Sequence, residues 1–72
     1  MAGRGVNSND YEAVSWFRKG ADLGNAHAGF RLGSMYEQGR GVGKDLNEAR
    51  FWYKKSAALG NSYAAEALQR LP

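Results

Sequence analysis

Shifted by 36 residues, the sequence falls onto itself: positions 3–36 laid over 39–72 without a gap give 14 identities in 34 pairs. The matches run from Gly3/Gly39, Arg4/Arg40, Gly5/Gly41 and Val6/Val42 through Glu12/Glu48, Ala13/Ala49, Trp16/Trp52 and Lys19/Lys55. They continue through Ala21/Ala57, Leu23/Leu59, Gly24/Gly60, Asn25/Asn61 and Ala28/Ala64 to Leu32/Leu68. A fixed period of this length limits the architecture more than any other feature. Each copy is too small to bury its own apolar face, and only stacking one copy on the next builds a core. The chain reads as a single repeat domain over 1–72, with copy one at 3–38 and copy two at 39–72.

Within each copy the pattern is helical. Asn9 and Asp45 suit an N-cap, and Glu12 and Glu48 follow three residues later, where a carboxylate can answer the cap's own N–H. Ala13, Trp16, Phe17, Gly20 and Ala21 recur at spacings of three and four, as do Ala49, Trp52, Tyr53, Ser56 and Ala57. Gly24 and Gly60 end these helices, and Asn25 and Asn61 cap the next ones at once. In the second helix of each copy the apolar stripe is Ala28, Leu32, Met35 and Tyr36, matched by Ala64, Leu68 and Leu71. The spacing predicts four helices at 10–23, 26–38, 46–59 and 62–71, with Val6 and Val42 partly buried under their loops. Short connections make neighbours antiparallel, so the fold class is an all-α solenoid of αα-hairpins.

Composition agrees: 11 Ala and 6 Leu stand against three Val, with no Ile and no Thr, which leaves little material for a sheet. The sequence has no cysteine, so neither disulfides nor thiolate metal sites are available. The longest apolar runs are three residues, such as Phe51, Trp52 and Tyr53, far short of the roughly 18 of a membrane span. The reading is of a soluble, cytoplasmic chain. Ten basic and seven acidic residues leave a net charge of +3, a mild preference for acidic partners.

The run Ala28, Leu32-Gly33, Met35-Tyr36, Gly39-Arg40-Gly41-Val42, Asp45, Ala49, Trp52-Tyr53, Lys55, Ala57 and Gly60 resembles the Sel-one-like repeat, a relative of the tetratricopeptide repeat. The resemblance extends over the chain from Gly3. It implies a right-handed αα superhelix that serves as a protein-interaction scaffold or adaptor without chemistry of its own. Some secreted members carry regularly spaced cysteines; this chain has none, and the activities tied to that branch are not carried over. The family unit opens with the helix containing Leu32-Gly33, so the first helix here lacks its leading partner.

The loop Gly39-Arg40-Gly41-Val42-Gly43-Lys44-Asp45 looks superficially like a phosphate cradle. A P-loop needs Gly where Gln38 stands and Ser or Thr where Asp45 stands, with a strand before it, and the match fails. His27 is the only histidine, with no cysteine or second histidine to complete a metal site and no Ser-His-acid spacing, so no metal, catalysis or cofactor is expected. On a helical wheel His27, Phe30, Ser34, Glu37 and Gln38 lie opposite Leu32 and Met35, with Arg31 at the edge. Tyr63, Glu66 and Arg70 take the equivalent places in copy two. In relatives with tetratricopeptide-like packing this face lines the concave groove, so His27, Phe30, Arg31, Ser34, Gln38, Tyr63, Glu66 and Arg70 form the expected protein- or peptide-binding strip.

The repeat places Trp16 and Trp52 alike in the core. Val14, beside Trp16 on a helix without its leading partner, is expected on an uncovered flank, and Phe51 points outward. These two are the expected contact of a homodimer or dimer-prone monomer, the alternative being that the chain is a fragment of a longer repeat array. The alternative function is weak nucleic-acid binding through the basic pairs Arg18-Lys19 and Lys54-Lys55, against which stand the interspersed acids and the attraction of such cations to helix C-termini.

Overall fold

The computed structural model describes residues 8–72, and the described residues contain helices and no strand. The helices are α1 (Ser8–Asp22), α2 (Ala26–Gln38), α3 (Leu46–Ala58) and α4 (Ser62–Arg70). Their boundaries lie within a residue or two of expectation, as fraying ends allow. The expected placement of Val6 lies outside the described residues. Each helix packs on its neighbours in sequence, most extensively α2 on α3.

The two short turns are built alike. Asn25 N–H donates to Gly20 O at 3.0 Å and Gly24 N–H to Ala21 O at 3.0 Å; Asn61 and Gly60 repeat these bonds to Ser56 O at 3.1 Å and Ala57 O at 2.9 Å. This is the Schellman pattern, which needs a left-handed residue at the turn, and Gly24 and Gly60 supply it at φ 91° and 104°. The next helix then starts on an asparagine whose Oδ1 accepts from Ala28 N–H at 3.0 Å in one copy and from Ala64 N–H at 2.9 Å in the other.

Asp45 caps α3 as expected, but the capping box and the cap of α1 differ from expectation. Asp45 Oδ1 accepts from the N–H groups of Asn47 and Glu48, at 3.0 and 3.1 Å, as a cap should. Its own N–H is taken by Tyr36 O at 3.0 Å, so Glu48 is not needed to close a capping box. Asn9 is already inside α1, which starts at Ser8, and is not its cap.

The core forms two clusters in series. The first joins Val14 and Ala21 of α1, Ala28, Leu32 and Met35 of α2, and Trp52 of α3. The second joins Ala49 and Tyr53 of α3 to Ala64 and Ala67 of α4. Tyr36 packs against both.

Two expectations are overturned here. Trp52 is 6% exposed but Trp16 is 67% exposed, so equivalent positions do not share an environment. Trp52 is covered because α1 and α2 precede it, whereas nothing among the described residues precedes α1. Val14, expected at a contact between copies, is 5% exposed and sits in the first cluster. Its own chain covers it, so it presents no surface to another. On this helix the uncovered apolar residues are Tyr11 and Trp16.

Candidate functional site

The placement of the expected strip on α2 and α4 rests on how closely α3 approaches α2. Gly29 and Gly33, one turn apart, face α3. A Cβ on Gly33 would stand 2.7 Å from the Tyr53 ring, and one on Gly29 would stand 3.3 Å from Ser56 Cβ. Without side chains there, Tyr53 lies buried against α2, and the buried Ser56 hydroxyl donates to Ala26 O at 2.6 Å. Tyr53 then carries a row of rings outward. Its ring centroid is 5.8 Å from that of Phe30, which is 6.0 Å from that of Tyr63, both pairs tilted. Burial falls along the row: Tyr53 is enclosed, Phe30 half-buried and Tyr63 exposed.

One helical turn or two further along, a polar network ties the same three helices. The Tyr53 hydroxyl donates to Glu37 Oε1 at 2.6 Å, and Arg70 donates to both carboxylate oxygens, at 2.5 and 3.2 Å. The Arg70 hydrogen bonds hold the Glu37 carboxyl below its ordinary range, against the opposing effect of burial. Burial first, and then the hydrogen bond to Glu37, push Tyr53 up to about 12.

The expected strip residues thus fall into pairs. Phe30 and Tyr63 come together across α2 and α4. Arg31 Nε faces His27 Nε2 at 3.5 Å, a long contact between two exposed side chains. Gln38 donates to the half-buried Ser34 hydroxyl at 3.2 Å. Glu66 is exposed one turn beyond Tyr63 on α4. Arg70 is already engaged by Glu37, which leaves the cationic character of the strip to Arg31. Sequence reading placed Glu37 on this face without giving it a role, and missed Tyr53 as the support. The four-residue spacing of Gly29 and Gly33, the mark of a close helix crossing, was the available signal.

Elsewhere, Phe51 is half exposed and meets Trp52 edge-on at 5.0 Å. Lys55 Nζ lies over both rings, at 5.7 and 5.3 Å. Lys19 sits likewise over Trp16 at 5.5 Å, and Arg18 donates to the Tyr36 hydroxyl at 2.8 Å. The glycine-rich loop is a strut: Arg40 reaches Asp10 on α1 at 2.8 and 3.3 Å, and Val42 packs on the first core cluster. Among the described residues no three His, Cys, Asp or Glu side chains converge, and no helix is long and apolar enough to cross a membrane.

The family model of the Sel1 repeat matches residues 1–25 and 26–61. Its second match spans α2 and α3 as one unit of the 36-residue period, phased on the helix pair that Gly29 and Gly33 bring together. No curated protein and no solved structure matches the chain. Sel1 repeats are non-catalytic modules that generally mediate protein–protein interaction. From the two matches, the period and the paired helices, the chain belongs to the Sel1 repeat family.

Proposed function

We propose that this protein is an interaction module that holds a peptide segment of a protein partner along the face shared by α2 and α4. The observation that carries the reading is the row of rings from buried Tyr53 through Phe30 to exposed Tyr63. A half-buried ring fixed from below presents apolar surface with little side-chain entropy left to lose, the character of a binding hot spot. His27 and Arg31 flank it on one side and Glu66 on the other, polar groups suited to a rim. With Arg70 neutralised by Glu37, the free cation of the strip is Arg31, which favours an acidic residue beside the partner's apolar anchor.

The test begins with a random-peptide library displayed on phage and selected on the chain. Selected peptides should combine an apolar anchor with acidic neighbours and should shift the backbone NMR resonances of α2 and α4. Tyr63→Ala together with Arg31→Glu should weaken their binding by about tenfold or more at unchanged helicity. Equal affinity for the double variant, or shifts confined to α1 and α3, would remove this face from consideration.

A further inference from the structure

The two core clusters are related by the 36-residue period, and the comparison exposes a missing residue. Ala21, Leu32 and Met35 of the first cluster correspond to Ala57, Leu68 and Leu71 around the second. The first set is buried, and Leu32 is 0% exposed; the second set is only half-buried. What the first cluster has and the second lacks is the indole of Trp52, delivered by the helix that follows. Conversely, α1 carries Trp16, the counterpart of Trp52, 67% exposed with no cluster among the described residues to receive it. Among the described residues, one tryptophan at the α1 side is left without a seat and one seat at the α4 side without a tryptophan.

We infer that the second copy of this chain supplies what each end lacks. Trp16 of one molecule docks against Ala57, Leu68 and Leu71 of another, repeating between molecules the contact that Trp52 makes within one. Local conformation is already suited to this. Trp16 lies beneath Lys19 as Trp52 lies beneath Lys55, at 5.5 and 5.3 Å, and the lysine does not prevent the burial of Trp52. One seat position differs in chemistry: Arg50 stands where Val14 stands in the first cluster. Its guanidinium is drawn aside to Asn47 Oδ1 and Pro72 O, at 3.0 and 2.8 Å, and an arginine over an indole is itself an attractive pairing. Because the two surfaces are different, the contact is head-to-tail, and repetition adds molecules in line rather than closing a two-fold dimer.

Sedimentation velocity on the whole chain over a concentration series up to about 1 mM tests this. The wild type should grow past the dimer. Trp16→Glu, which spoils the head, and Leu71→Arg, which spoils the tail, should each sediment as monomers with unchanged helicity. Mixed in equal amounts they should form a 1:1 pair and stop there, because each variant keeps the surface the other has lost. Should Leu71→Arg lose helicity, Ala57→Arg crowds the same seat from α3 and takes its place in the mixture. Three results would overturn the proposal: a wild type that stays monomeric throughout, a mixture that stays monomeric, or a folded tail variant that still pairs with itself through the Trp16 face.

Discussion

Gly33 meets the edge of a side chain that has nowhere to go. Tyr53 is enclosed by α2 and α4, so the 2.7 Å approach of an added methyl cannot be relieved by turning the ring aside. Gly33→Ala should cost about 1–3 kcal/mol in a urea melt despite the better helix propensity of alanine. The hydroxyl of the same tyrosine makes stability depend on pH at the alkaline end. Tyr53 keeps its proton to about 12 in the folded chain and loses it near 10 when unfolded. Its contribution is therefore whole below pH 10 and declines as pH rises toward 12. Melting temperatures of Tyr53→Phe should show a shallower fall over that range. Glu37 acts in the opposite sense. Its carboxyl is depressed by Arg70, so its contribution is present above the ordinary value of 4.5 and is lost as pH falls through the lowered one. Glu37→Gln should flatten that acid limb, and a steep limb in the variant would assign it to other carboxylates.

At the scale of the helices, the informative residues are those that act on their own few neighbours. Asp45, Asn25 and Asn61 cap whichever helix follows them, and Gly24 and Gly60 turn the chain whatever packs above, which is why the helix boundaries were readable. Removing the double acceptor with Asp45→Ala should cost about 1 kcal/mol, seen as a lower melting temperature by circular dichroism. Asn9 shows the limit of such signals, since a residue able to cap is here enclosed by a helix that starts earlier. The exposure of Trp16 and the burial of Val14 were not readable, because the repeat equates positions while burial depends on which helices lie alongside. The face proposed for binding was readable as a set of neighbours, through Phe30 and Tyr63. Its internal pairing was not: nothing in the spacing of Glu37 and Arg70, 33 residues apart, says that the second neutralises the first.

For the molecule as a whole, the equivalent tryptophans should respond very differently to the same change. Trp52→Ala empties the middle of the first cluster and should cost about 3–5 kcal/mol, enough to unfold a domain this small. Trp16→Ala should stay within about 0.5 kcal/mol in dilute solution, where no second molecule covers it. Urea melts of the two at low concentration measure the contrast, and equal losses would mean that α1 has a covering these helices do not supply. The strut between the repeats has a mechanical consequence. A Cβ on Gly41 would fall 2.5 Å from Asp10 O, so the loop backbone lies flush against the backbone of α1. Pressing the repeats together at this point drives main chain into main chain, which rises steeply. Drawing them apart here stretches the Arg40–Asp10 pair, whose arginine is largely in water and whose attraction salt screens. Extension here also draws Val42 off the first core cluster, so salt loosens only the ion-pair share of what holds the joint closed.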